Sequence, residues 1–213
     1  CSNNNTDICL YLDIPEPQKW VSMLRLIFGR INFMRVLVGN NKPLSIWIWP
    51  TGWKKSLPIP NGSNNTFTIN DINSGSTSLY LDNDDNGDIC LWRKEEILKV
   101  LLHELIHAFR IDTHDPSPKE AYTELRAVYA NTCLELLERD IPVYNYPKYL
   151  EEEKKFGIKQ ARRIQGYSKG KTNIKAYLGE RNRLLNKVSK KKWERLLGKN
   201  KERPGKHLRL SLI

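Results

Sequence analysis

Apolar residues recur along this 213-residue chain in two patterns, one typical of strands and one typical of helices. Residues 44–49 alternate between apolar and more polar side chains up to Pro50, which predicts a strand. Near the start, a helix is predicted to open at Pro15, with its apolar residues at helical spacing. Shorter strand patterns follow at 67–69, 77–81 and 89–92. Together these patterns predict an α+β fold with a small sheet.

The segment from Lys94 to Ile111 is apolar nearly all round, as expected of a buried central helix. It nevertheless carries His103, Glu104 and His107. A buried carboxylate without a partner is costly, so polar residues in such a helix need a reason to be there. A bound metal ion is such a reason.

These residues have the form H-E-x-x-H, the zinc-binding pattern of many metallopeptidases. Positions i and i+4 lie on one face of a helix, so His103 and His107 reach a single ion. Glu104 is turned about a hundred degrees around the helix axis. From there it reaches a metal-bound water instead of the ion. The spacing predicts a catalytic Zn²⁺ site, one per chain, with Glu104 as the general base.

A third zinc ligand is expected downstream, where His114, Glu120 and Glu124 are the candidates. The stretch from Ser117 predicts a helix start, with Ser117 as the N-cap, Pro118 at the first helical position and Glu120 in the capping-box position. Because that capping role occupies Glu120, Glu124 is the preferred ligand. In the alternative, Glu120 is the ligand and Glu124 holds a zinc-bound imidazole from behind.

Three residues are candidates for stabilising the oxyanion of a tetrahedral intermediate: His114, already named as a possible ligand, Tyr122 and Tyr129. His114 is not a metzincin ligand. In an H-E-x-x-H-x-x-G-x-x-H run, the Gly position is occupied here by Arg110 and the last His position by Thr113. His114 comes one place too late.

With its second helix, the motif resembles the gluzincin branch of the zinc metallopeptidases. Residues 123–129 are similar to the Asn-Glu-Gly-x-Ala-x-Tyr stretch of the aminopeptidase-type members, which implies Glu124 as the ligand. Residues 120–124 also resemble the Glu-x-x-x-Asp stretch of the thermolysin-type members, which implies Glu120. The resemblance implies a zincin-like metallopeptidase domain that hydrolyses peptide bonds with zinc-activated water. Its substrate would be a protein or peptide.

More narrowly, residues 70–130 look like metallopeptidases encoded by large DNA viruses, a resemblance that implies no substrate. In zincins, an edge strand ahead of the metal helix holds the substrate backbone by β-augmentation. By analogy, residues 74–81 are the candidate for that strand.

Charge is segregated along the chain, whose formal net charge is +11. Residues 154–213 contain 20 of the 35 Lys and Arg residues but only 3 acidic residues. We therefore expect a metallopeptidase domain at 1–150 and a basic helical extension at 151–213. Such an extension favours nucleic acid or another polyanion as a partner. In the alternative, the chain is not an enzyme but a virion or nucleic-acid-associated protein that binds polyanions through this extension.

Asp82 to Asp88 is dense in carboxylates and matches the first half of an EF-hand loop, but the Glu required at its twelfth position is Arg93. A hairpin turn is the preferred interpretation, and a structural Ca²⁺ is the alternative.

No apolar run reaches the roughly 18 residues that predict a membrane span. The four cysteines have no metal or redox spacing. We expect an intracellular or virion-associated protein, not a secreted one.

Overall fold

The computed structural model describes residues 2–3, 5–11, 17–55, 73–79, 87–115, 117–164 and 179–187. Five strands and five α-helices lie within these ranges. The strands are β1 (Ser2–Asn3), β2 (Thr6–Leu10), β3 (Leu44–Thr51), β4 (Gly75–Ser78) and β5 (Asp88–Arg93). The helices are α1 (Pro17–Val38), α2 (Ile97–Ala108), α3 (Lys119–Glu138), α4 (Tyr146–Ile164) and α5 (Arg181–Lys187).

The described strands form one sheet in the order β1-β2-β3-β5-β4. Strands β2, β3 and β5 are parallel, whereas β4 pairs with β5 in the antiparallel direction. Along β3, Leu44, Ile46 and Ile48 are buried and the residues between them are more exposed. This is the period of two that the sequence pattern predicts. The helices therefore cover one face of the sheet.

The core lies between that face and helices α1 and α2. Helix α1 contributes Ile27 and Ile31, while α2 contributes Leu101, Leu102 and Leu105, all with 0% of their surface exposed. Helix α2 also packs against α3 and the edge strand β4. The predicted buried central helix is confirmed, and the fold is of the mixed α+β kind.

Four strand and loop predictions have different outcomes. The strand predicted at 89–92 is confirmed as β5. The edge strand predicted at 74–81 corresponds to the shorter β4, Gly75–Ser78, and residues 80 and 81 lie outside the described residues. The strand pattern at 67–69 lies outside the described residues, and so does the candidate calcium loop except for its last two positions, Gly87 and Asp88.

A second apolar cluster joins α3 to α4 and α5. It contains Val128, Leu136 and Leu150, together with Leu185 from α5. Helix α4 runs through the predicted domain boundary at residue 150 without a break. Leu185 is the residue of this cluster that belongs to the predicted basic extension, and it places α5 against α3. No described helix combines the length and the apolar character needed to cross a membrane.

Candidate metal centre

Helix α2 brings the two imidazoles of the motif together, as the i, i+4 spacing requires. The Nε2 atoms of His103 and His107 are 3.1 Å apart. His103 is buried and His107 half-buried. Both rings therefore direct the same nitrogen toward one point beside the helix.

The third group at this point is Glu120, which lies in the first turn of α3. Its Oε2 atom is 3.4 Å from His103 Nε2 and 3.6 Å from His107 Nε2. In a tetrahedral site with bonds of about 2.0–2.1 Å, ligand atoms are separated by about 3.3–3.4 Å. The three separations of 3.1, 3.4 and 3.6 Å are close to that value. These residues fit a metal ion such as Zn²⁺, and three protein ligands are the number that a catalytic zinc site uses.

Glu124, the ligand preferred from the sequence, occupies a different place. Its Oε2 atom is 3.1 Å from His103 Nδ1, the ring nitrogen that faces away from Glu120. The predicted capping box is wrong, because Pro118 is the N-cap, no side chain caps the helix, and the first helical residue is Lys119. Glu120 does not cap the helix, and its carboxylate lies beside the two imidazoles. The geometry favours the alternative in which Glu124 supports His103.

His107 has a carboxylate partner of the same kind. Asp112, in the turn after α2, places Oδ2 at 2.8 Å from His107 Nδ1. Each imidazole therefore meets a carboxylate on the nitrogen that faces away from the converging atoms. Such partners fix the tautomer and the ring orientation of metal-binding histidines.

The charges of the cluster also favour a cation at its centre. Burial lowers the pKa of His103, but the hydrogen bonds with Glu120 and Glu124 outweigh it and raise this pKa to about 10. Burial raises the pKa of Glu120, yet its contacts with His103 and His107 bring it below the ordinary value. The pKa of Glu124 is likewise lowered, against burial, mainly by Lys99 and His103. The carboxylates stay ionised and favour positive charge between the rings.

Glu104 is held apart from these ligands, at the edge of the sheet. It is buried, and its Oε2 accepts a hydrogen bond of 2.7 Å from Thr77 Oγ1 on β4. Burial is the largest cause of its raised pKa, which the neighbouring histidines and Thr77 partly offset. A carboxyl group with a raised pKa suits a general base that must later act as an acid.

Strand β4 approaches Glu104 closely because it has glycine at position 75. A Cβ atom on Gly75 would lie 3.1 Å from Glu104 Cγ and 2.6 Å from Val100 Cγ1, which is too close without a shift. The strand therefore lies directly along the side of α2 that carries Glu104.

The three candidates for oxyanion stabilisation are placed in different surroundings. His114 is exposed in the turn between α2 and α3. Tyr122 is half-buried on α3, and Tyr129 packs in the second apolar cluster, where burial raises its pKa to about 12. None of the three belongs to the group of converging ligand atoms found among the described residues. A role of these three residues in catalysis stays a prediction.

Sequence reasoning did not single out Asp112, Thr77, Lys99 or Arg181. Asp112 had a local signal, since an acidic residue five positions after His107 lies within reach of its ring. Thr77, on the predicted edge strand, reaches Glu104 across 27 positions of sequence. Such long-range pairs have no local pattern.

Comparisons with family models, curated proteins and solved structures gave no match to this chain.

Proposed function

We propose that this protein is a zinc-dependent peptidase with a zincin-like domain, in which His103, His107 and Glu120 bind the ion. The observation that carries the proposal is the convergence of three ligand atoms at 3.1, 3.4 and 3.6 Å, next to a buried carboxylate that is not itself a ligand. In this assignment, residues 120–124 correspond to the Glu-x-x-x-Asp stretch of the thermolysin-type gluzincins, with Glu124 at the Asp position.

The side chains have distinct roles in hydrolysis. Zn²⁺, when bound, supplies a Lewis acid and lowers the pKa of its water toward 7. Glu104 accepts a proton from the attacking water and donates it to the leaving amine. Asp112 and Glu124 hold the imidazoles in the tautomer that leaves Nε2 free to bind the ion. Thr77 fixes the direction of the Glu104 carboxylate.

A peptide substrate is supported by strand β4, the edge of the described sheet beside Glu104. Trp92 N donates to Ser74 O, so the antiparallel register places the hydrogen-bonded pairs at Ser74, Ser76 and Ser78. The backbone groups of Gly75 and Thr77 consequently point away from β5. An extended peptide that pairs with this edge would run past Glu104 and the three ligands.

The test compares Glu104→Gln with wild type for zinc content and for hydrolysis of unfolded casein and a quenched-fluorescence peptide library. General-base catalysis contributes about 10²- to 10⁴-fold, so the variant should lose at least a hundredfold in rate while it keeps its zinc. Glu95→Gln is the matched control, because Glu95 is an exposed Glu just before α2. A Glu104→Gln protein that cleaves as fast as wild type would refute the proposal.

A second candidate function, polyanion binding, is supported by one face of α4. Lys155, Ile158, Lys159, Arg162 and Arg163 line a shallow surface depression, and their i, i+3, i+4, i+7, i+8 spacing places them in one stripe. This function predicts that a double-stranded DNA oligonucleotide binds with an affinity that falls as salt rises. The pair Lys159→Ala and Arg162→Ala should flatten the salt dependence, whereas Glu104→Gln should leave it unchanged. DNA binding that is weak and equal in all these proteins would exclude this function.

A further inference from the structure

Glu124 connects the proposed metal ligand His103 to a cation that comes from the basic C-terminal part of the chain. One carboxylate oxygen, Oε2, faces His103 Nδ1 at 3.1 Å. The other, Oε1, is 2.6 Å from Lys99 Nζ and 3.7 Å from Arg181 Nη1. The orientation of the His103 ring thus depends on a carboxylate that two cations hold from behind.

The two cations differ in their surroundings. The Lys99 side chain is 37% exposed, while that of Arg181 is 2% exposed. Water competes for the ammonium of the partly exposed Lys99, which weakens its hold on the carboxylate. A buried guanidinium is screened far less, and its planar shape fixes the direction of its hydrogens. Lys99 makes the shorter contact, and Arg181 adds a second, fully buried charge on the same carboxylate oxygen.

The packing around Arg181 indicates that this placement is specific. Gly157 of α4 lies against the Arg181 guanidinium and the Asn182 side chain, where a Cβ atom would clash with both. Within the described residues, Nε and Nη2 of Arg181 have no hydrogen-bond partner. A buried guanidinium with unsatisfied donors is a costly way to stabilise a fold. Its ion pair with Glu124 gives it a use at the metal centre.

We propose that Arg181 is a positioning residue of the metal centre, which holds Glu124 and through it His103, so that docking of α5 sets the affinity for zinc. The inference rests on the proposed function, since it requires His103 to bind the ion. It assigns a role to the described part of the basic extension that is separate from any polyanion binding. The charge needed is that of residue 181 alone, not that of the extension as a whole.

The test measures the zinc Kd of the full chain by competition with a chromophoric chelator, for wild type, Arg181→Met and Arg181→Lys. Loss of a residue that directly supports a metal ligand weakens binding by about 10- to 100-fold, and because Arg181 acts through Glu124 we expect Arg181→Met to lie at the lower end, about 10-fold. Arg181→Lys should recover part of the loss because it keeps the charge. Arg183→Met is the matched control, since Arg183 is an exposed arginine on the same helix that pairs with Glu180.

A double-mutant cycle distinguishes positioning from a general effect on packing. In a Glu124→Gln background, Arg181→Met and Arg181→Lys should no longer change the zinc Kd, because their effect passes through the Glu124 charge. An equal effect in both backgrounds would overturn the inference, as would a wild-type Kd in Arg181→Met. If Arg181→Met does not fold by circular dichroism, the cycle with Arg181→Lys decides in the same way. Wild-type protein that binds no zinc would instead remove the proposed function.

Discussion

Zinc affinity should separate the roles of Glu120 and Glu124, which both lie on α3 one turn apart. The perturbations are Glu120→Gln and Glu124→Gln, which keep the shape of each side chain and remove its charge. Only Glu120 directs an oxygen to the point where His103 Nε2 and His107 Nε2 meet. Glu120→Gln should therefore have the larger effect.

The expected size for Glu124 follows from its contact with His103. The carboxylate oxygen and Nδ1 are 3.1 Å apart and buried. A hydrogen bond to a charged group contributes about 1.5–3 kcal/mol, and each 1.4 kcal/mol is a factor of ten in affinity. Glu124→Gln should thus raise the zinc Kd by about 10- to 100-fold, in line with other residues that support metal ligands. Glu120→Gln removes a ligand and should exceed that range.

The assay begins with zinc content by elemental analysis of proteins purified without added metal, followed by competition with a chelator of known affinity. Wild type should contain one zinc per chain, and Glu120→Gln should contain almost none. The reverse order, with zinc lost from Glu124→Gln and kept in Glu120→Gln, would refute the ligand assignment. A folded wild type without zinc would refute the site itself.

Two more predictions concern strand β4. Thr77→Val removes a hydrogen bond that lowers the pKa of Glu104, so this pKa should rise. Because the base acts only when ionised, the acid limb of the kcat/KM profile should move to higher pH. Thr77→Ser should leave the limb in place, and an unmoved limb in Thr77→Val would contradict this role of Thr77. Gly75→Ala would put a Cβ atom 2.6 Å from Val100 Cγ1 and 2.9 Å from Leu91 Cδ2. Urea unfolding should therefore show a free energy of unfolding lower by about 1–3 kcal/mol, and peptidase activity should fall as β4 shifts. Full activity would show that the close approach of β4 to α2 is not needed.

The parts of the site that depend on helix geometry were predictable from the sequence. His103, Glu104 and His107 lie in one helix, and their spacing alone determines which side chains share a face. The burial of α2 was equally predictable, since Lys99 is its only charged residue outside the motif. Strand β3 was predictable from its alternation of apolar and more polar positions, which matches its buried and exposed residues.

The choice between Glu120 and Glu124 depended on the N-cap of α3, which the sequence pattern placed at Ser117, one residue too early. A capping box predicts the position of the first turn, but Pro118 is the N-cap and Glu120 is not used to cap the helix. Because Glu120 does not cap the helix, its carboxylate is available to the imidazoles, and this one difference exchanges the expected roles of Glu120 and Glu124. Element ends are where such errors arise, because several cap arrangements fit one sequence.

The two carboxylates that support the imidazoles are held by different parts of the fold. Asp112 follows α2 directly, so the support for His107 forms with the end of that helix. The support for His103 comes from α3 and depends on Arg181, which lies 57 positions further along the chain than Glu124. Closing a longer loop costs more chain entropy, so the His103 side requires more of the tertiary structure to be in place. Because the proposed site takes ligands from both α2 and α3, we expect the binding free energy of zinc to add to the packing of these helices and the zinc affinity to depend on the folding of α2, α3 and α5 together.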